Sequence, residues 1–360
     1  MKKLVFLLFT CIAVSAFGQA DNQFAATGKV IDSATGLPLA GASVFCQNTT
    51  SGTTSNSEGA FRLILAEGGY DLVVSYTSYE TRVLRIHSTT AVNLTIALKA
   101  KDKNLQEVAV TGSTMVADGL QKYGQFFIDH FIGTSPFAAQ CTIQNPEALQ
   151  FYFYKKRNRL KVKATDDLVI LNNALGYKIK FQLDSFAHEY ATETSTYTGF
   201  PFYEELTGSD EDKARWKQNR ENAYAGSRLH FVRSWYDSTL ADEGFVIEKV
   251  DSASKTLKTY PVDDPYDSSI YRVIENNDVE ISWNGRLRIL YKNALPDPAY
   301  LRSNHLPNTL HTQISILDIS GGFVIQQNGY VYDQNDVTNT GYWSWEKLAE
   351  LLPYDYNPEP

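Results

Sequence analysis

Methionine, cysteine, histidine and long apolar runs are all scarce in this 360-residue chain, which carries two, three and six of the first three. Once residues 1–18 are set aside, only Cys46 and Cys141 remain. That leaves room for at most one bridge, and two free thiols are the expectation, in a compartment that permits a disulfide. After residue 18 no run reaches the ~20 apolar residues that a membrane-crossing helix needs. Basic residues are outnumbered, 33 against 41 acids, for a net charge of -8. No strongly basic patch favouring nucleic acid is expected. Absent as well are the Gly-x-Ser-x-Gly elbow, the Walker lysine loop and Gly-x-Gly-x-x-Gly.

Tyrosine and phenylalanine are plentiful, 22 and 19 residues, and the 43% hydrophobic content suffices for packed cores. Aromatic-rich, methionine-poor composition suits half-buried sheets. Residues 1–18 read as a secretory signal: Lys2 and Lys3, an apolar run from Leu4 to Phe17, then Ala16-Phe17-Gly18 as the cleavage site. Cys11 sits inside the apolar run and does not read as a lipidation site. Removal of that segment leaves 31 basic against 41 acidic residues, a charge of -10. Export is expected.

From about 22 to 111, strand signals recur every 8–12 residues: Ala25–Asp32, Ala42–Gln47, Ala60–Leu65, Tyr70–Tyr76, Thr81–Ile86, Ala91–Leu98 and Leu105–Thr111. Phe61, Leu63 and Leu65 alternate with Arg62 and Ile64, and Val92, Leu94, Ile96 and Leu98 with Asn93, Thr95 and Ala97. Seven short alternating strands predict a β-sandwich. The remainder, 113–360, mixes both element types. Helices are expected over Gly119–Phe131, from Asn145-Pro146, after a Ser209–Asp212 capping box through Trp216, Arg220 and Tyr224, over Arg228–Leu240, and from Trp343 to Leu352. Strands are expected at Gln150–Lys155, Leu160–Ala164, Leu168–Asn172, Gly176–Glu189, Phe245–Lys249, Tyr271–Glu275, Val279–Trp283, Leu287–Tyr291, Gln313–Asp318 and Phe323–Gln326. The predicted fold class is mainly β / α+β: a seven-stranded sandwich followed by a larger α+β domain.

Gly28-Lys29-Val30-Ile31-Asp32, Thr35-Gly36-Leu37-Pro38-Leu39-Ala40-Gly41, Glu58-Gly59-Ala60-Phe61 and Leu72-Val73-Val74-Ser75-Tyr76 together resemble the carboxypeptidase regulatory-like domain. The resemblance covers about a quarter of the chain. It implies a transthyretin-like sandwich, a non-catalytic attachment in zinc carboxypeptidases and a module that precedes the plug of starch-utilisation-type TonB-dependent receptors. To the expected export, this resemblance of residues 28–80 adds a periplasmic or outer-membrane-associated address. Leu105-Gln106-Glu107-Val108-Ala109-Val110-Thr111-Gly112 resembles their TonB-box linker, although the last strand of the sandwich is the preferred reading. The 250 or so remaining residues are too few, and too interrupted by helices, for a 22-stranded barrel. Phe126-Phe127-Ile128-Asp129-His130, Gly176-Tyr177-Lys178-Ile179, Gly226-Ser227-Arg228-Leu229-His230-Phe231 and Gly341-Tyr342-Trp343 resemble the region accompanying this module in a group of uncharacterised envelope proteins, and no catalytic residue is carried over from that resemblance.

A zinc carboxypeptidase needs His-x-x-Glu and a distant histidine. His87, His130, His188, His230, His305 and His311 supply no such spacing. Asp263–Asp267 and Asp333–Asp336 read as solvated turns rather than calcium loops. Glu204-Glu205 alone says nothing of a glycosidase pair. No cofactor and no metal site are expected. The densest polar-aromatic group is Arg220, Tyr224, Arg228, His230 and Arg233, where arginine could grip a carboxylate or phosphate; the competing reading pairs Arg220 and Arg233 with Glu221 and Asp237. The expected role is an exported envelope accessory or binding protein for a protein or glycan partner. The alternative is a hydrolase whose site is assembled from distant residues of 113–360.

Overall fold

The computed structural model describes residues 23–101, 114–251, 258–332 and 337–358. The expected signal segment and Leu105–Thr111 therefore lie outside the described residues. Seven strands build the first module: β1 Gln23–Asp32, β2 Ser43–Cys46, β3 Gly52–Thr54, β4 Ala60–Ala66, β5 Tyr70–Ser75, β6 Arg82–Ile86 and β7 Leu94–Leu98. They form two sheets, ordered β4-β1-β7 and β3-β2-β5-β6. Phe61, Leu63 and Leu65 point inward with Val30, Leu72, Val74 and Ile96, as period-two alternation requires. The described seventh strand is β3, which Gly52 at its start disguises as a turn. Val92 departs from the expected alternation. It lies before β7 and is exposed, because Asn93 adopts φ +56° and turns the chain there.

The next unit begins with β8 Thr114–Met115, α1 Gly119–Phe131, β9 Cys141–Ile143, β10 Leu149–Tyr154, β11 Arg159–Ala164, β12 Leu168–Asn172, β13 Tyr177–Glu189 and β14 Thr194–Glu205. These strands form an antiparallel sheet ordered β8-β10-β11-β13-β12-β9, with β14 on the other edge of β13. Phe127 and Phe131 of α1 pack on Phe151, Phe181 and Phe186, and Leu348, Ala349 and Leu352 close the same core. β14 is absent from the sequence reading. Its TSTYTGFPFYEE lacks an aliphatic alternation, and β13 supplies the ladder that holds it. Asn145 does not cap by side chain; it bridges the Asp167 carbonyl and the Val169 amide instead.

Ser209 caps α2 Asp210–Tyr224 with a reciprocal bond to Asp212, as the sequence indicates. α3 Arg228–Tyr236 is shorter than expected, since Ser238 at φ +61° ends it before Leu240. There follow β15 Phe245–Val250, β16 Thr259–Pro261, β17 Tyr271–Val273, β18 Val279–Ile281, β19 Gly285–Tyr291, α4 Pro298–Ser303, β20 Gln313–Ile319, β21 Phe323–Ile325, β22 Val337–Gly341 and α5 Tyr342–Trp345. Sheets β16-β15-β19-β20-β22 and β17-β18-β21 share a core with Phe231, Val232 and Trp235 of α3. The expected closing helix over 343–352 is only the turn of α5. Residues 346–352 run irregularly, because Leu348, Ala349 and Leu352 must reach the α1 core. Two segments singled out in the sequence meet here: the Trp343 indole donates to the Gly226 carbonyl at 2.7 Å.

The sandwich is docked on the rest at two places. At one, Asn48 donates to the Pro201 carbonyl (2.9 Å), Tyr203 to the Thr49 carbonyl (3.0 Å), and Phe45 packs against Phe202 at 5.3 Å. A Cβ on Gly52 would come within 2.7 Å of the Phe202 ring, so this seam demands glycine. At the other, Asn328 donates to the Gly69 carbonyl, the Tyr330 hydroxyl to Asp71, and Arg85 lies over the Tyr332 ring at 4.1 Å. Between them runs the segment 353–356. The Asp355 carboxylate accepts from the Thr50 amide and hydroxyl, and the Tyr354 amide donates to the Asn48 carbonyl. Buried Arg233 holds this segment from below. Its Nη1 and Nη2 donate to the carbonyls of Tyr356 and Tyr354 at 2.8 Å each, and its Nε to that of Asn328 at 3.2 Å.

Replacing Arg233 by Met removes a charged donor from three carbonyls, a loss of about 3 kcal/mol in unfolding free energy. Arg233→Lys recovers less than half of this, because one ammonium cannot span three acceptors. Urea denaturation measures both; an unchanged midpoint in Arg233→Met would show that the clamp contributes nothing.

Candidate functional site

Where α2, the end of β14 and the 353–356 segment converge, a cleft of about 470 Å³ opens at the seam with the sandwich. Its floor follows from local geometry. Gly176 takes φ +71°, and a Cβ there would meet the Trp216 ring at 2.3 Å, so the indole lies directly on the turn before β13. The indole NH donates to the Asn173 carbonyl at 2.9 Å. Tyr177 sits beside it, with the Arg220 guanidinium 3.9 Å above its ring. Arg220 donates to the carbonyls of Leu175 and Gly176 and pairs with Glu205 at 2.8 Å. Lys213, Tyr356 and Asp355 complete the wall. Arg220 covers the Tyr177 ring and Trp216 is buried against Gly176, so the aromatic floor is closed. Over it the cleft offers a ligand charged groups of both signs, Lys213 and Arg220 with Glu205 and Asp355.

The five residues singled out from the sequence divide between several environments. Arg220 lines the cleft. Its acidic partner is Glu205, across from α2, and not the neighbouring Glu221. Tyr224, His230 and Arg233 do come together: the Tyr224 and His230 rings stack at 4.7 Å, and the Arg233 guanidinium lies 5.8 Å from the Tyr224 ring. Arg233, however, spends its hydrogen bonds on carbonyls, not on Asp237. His230 Nδ1 accepts from the Gly226 amide, and its Nε2 meets Glu243 at 3.0 Å. Burial pulls this imidazole below its ordinary pKa against the opposing pull of Glu243. With both nitrogens engaged, it is a locked strut for the Gly226 break. Arg228 stands apart, beside Phe231, Val232 and Phe323 at a separate small gap.

Trp216, Tyr177, Asp355 and Tyr356 escaped the sequence reading as site residues. Tyr177 reads as core from its strand alternation, and Asp355 lies far along the chain from everything it touches. Elsewhere, His188 Nδ1 lies 2.9 Å from the Ser195 hydroxyl, and its Nε2 lies 3.6 Å from the Glu193 carboxylate. The imidazole is fully buried, burial lowers its pKa, and neither it nor Ser195 lines the cleft. Cys46 and Cys141 are both free thiols. Burial pushes the Cys141 thiol up to about 12, so it is protonated at neutral pH. Among the described residues, no three His, Cys, Asp or Glu side chains gather as metal ligands, and no helix is long and apolar enough to cross a membrane.

One acid corner is unusual. Glu350 is buried against the Ser135 hydroxyl and the Lys347 amide, with Glu346 and Asp297 nearby. Burial raises its carboxyl from 4.5 to about 7, and Glu346 is raised by burial and then by Glu350. A raised folded-state pKa means the native state holds the proton more tightly than the unfolded chain. The associated stability is complete below about pH 4.5 and is lost as pH climbs towards about 7, roughly 3 kcal/mol in all. Thermal melts from about pH 5 to 8 should show this decline, and Glu350→Gln should flatten it.

Residues 26–110 match the family model described as CarboxypepD_reg-like domain. A TonB-dependent receptor of Formosa agariphila is 32% identical over 109 residues, 30% of this chain and 10% of the receptor. A second TonB-dependent receptor of the same organism is 25% identical over 112 residues, 31% of this chain and 11% of its own length. The chain thus spans about a tenth of the length of the curated relatives it matches. Among solved structures, a 9R-lipoxygenase from Cyanothece PCC8801 aligns over 68% of this chain and 51% of its own at 8% identity, but its TM-score of 0.16 relates no folds. The two-sheet sandwich and the match over 26–110 together identify the N-terminal module as a CarboxypepD_reg-like domain.

Proposed function

We propose that the chain is an exported, envelope-associated binding protein. Residues 1–18 direct export to the periplasm or outer membrane, 22–111 form a non-catalytic docking module, and 113–360 contact a protein or glycan partner. The relatives named as TonB-dependent receptors support the envelope setting. The observation that carries the binding role is the seam cleft, where Lys213, the Arg220–Glu205 pair and Asp355 set charges of both signs around one space. Both sides of the seam contribute, through Thr50 of the sandwich and Asp355 of the closing segment. The docking module is thereby part of the binding wall.

The hydrolase reading draws on one observation, the Ser195–His188–Glu193 contact. His188 is fully buried and neither it nor Ser195 lines the seam cleft, so binding is the better supported role.

A panel of neutral and charged oligosaccharides and short peptides, screened by thermal shift on the full chain, tests the proposal. A ligand at about 100 times its Kd should add roughly 2.7 kcal/mol of stability. Lys213→Glu and Tyr356→Ala should weaken its binding at least tenfold. Hydrolysis of any panel member, lost in Ser195→Ala, would favour the enzyme instead.

A further inference from the structure

The acidic total of the chain conceals a local reversal. Between residues 155 and 163 the sequence reads KKRNRLKVK, six cations with no acid. The structure makes this segment a hairpin. β10 and β11 pair antiparallel from Leu149↔Ala164 to Tyr154↔Arg159, around a turn closed by Asn158 at φ +46°. Phe151, Leu160 and Val162 point into the core. Tyr152, Tyr154, Lys161 and Lys163 therefore share the outer face, and Lys155, Lys156 and Arg157 stand exposed at the tip.

The neighbouring cations already have acidic partners. Arg159 pairs with Glu189 at 2.9 Å, and Lys178 and Lys180 converge on Glu204. Lys155, Lys156, Arg157, Lys161 and Lys163 have no ion pair among the described residues. Five like charges thus line one ribbon on a protein of net charge -8. Alternate residues along a strand repeat about every 6.6 Å, so Lys161, Lys163 and the tip form a row rather than a cluster. Tyr152 lies directly across from Lys161, its hydroxyl donating to Gln150. Thr196 and Thr198 extend the same polar face across β13 onto β14.

We propose that the outer face of the β10–β11 hairpin binds an anionic polysaccharide chain. A linear polyanion matches a row of cations, and flat tyrosine rings beside them suit the faces of sugar rings. A membrane surface fits less well. The tip, Lys155-Lys156-Arg157-Asn158, carries no apolar or aromatic residue to enter the headgroup boundary. The site is separate from the seam cleft, whose lining includes none of these residues.

The test uses the full chain and polygalacturonate, with dextran of similar length as the neutral control and phosphatidylglycerol vesicles and single-stranded DNA as competing surfaces. Retention on polygalacturonate alone is expected, falling about tenfold between low and physiological salt as the charges are screened. Lys161→Ser with Lys163→Ser, and separately Lys155→Ser with Lys156→Ser and Arg157→Ser, should each lower affinity at least tenfold. These side chains lie outside the core, so circular dichroism and melting temperature should stay as in the parent. Tyr152→Ser should weaken binding while leaving the salt dependence in place. Equal retention of parent and lysine variants, equal binding to dextran, or tighter binding to vesicles or DNA would overturn the proposal.

Discussion

A single buried guanidinium organises the join between the parts of this molecule. Arg233, on α3, donates to the carbonyls of Asn328, Tyr354 and Tyr356, groups that no strand or helix satisfies. Buried carbonyls without donors are costly, so the irregular segment after Pro353 can lie inside the structure only because a planar, permanently charged fork meets it there. From that segment, Tyr354 and Asp355 reach the β2–β3 turn of the sandwich, and from the Asn328 loop a second contact reaches Gly69. The clamp thus sits beneath both docking points. His230, locked between Gly226 and Glu243, and Trp343, bonded to the Gly226 carbonyl, fix the helix break that brings Arg233 into place.

The cleft is a by-product of that join. α2 has only two buried residues, Trp216 and Ala223, so one face of it remains turned to solvent. Arg220 secures its inner side to the turn before β13, and Asp355 arrives from the opposite side. Main-chain hydrogen bonds thereby hold Arg220 and Asp355 on opposite sides of the cleft. The fixed seam also bears on the role of the CarboxypepD_reg-like domain. Gly52 against Phe202, and the backbone bonds at Asn48 and Thr49, join it directly to the larger region.

Local signals in the chain were sufficient for most of the elements. Period-two alternation in β4 and β13, the Ser209–Asp212 capping box and the apolar stripe of α1 each arise from neighbours within a few residues, so each is visible in one dimension. β14 and the 346–352 segment were not visible, because their conformations are imposed by β13 and by the α1 core. Of the candidate site, Arg220 was legible and its role was not.

What the sequence alone determined is the sandwich and the alternation of helices and strands after it. These rest on side-chain periodicity and turn chemistry, which are local. The tertiary structure decided which charges are spent and which are available. Arg233 is consumed by three carbonyls, Arg220 by Glu205 and the Leu175–Gly176 turn, while Lys161 and Lys163 face outward together. Partnership between groups far apart in the chain depends on how sheets close on one another, and no local pattern records that distance.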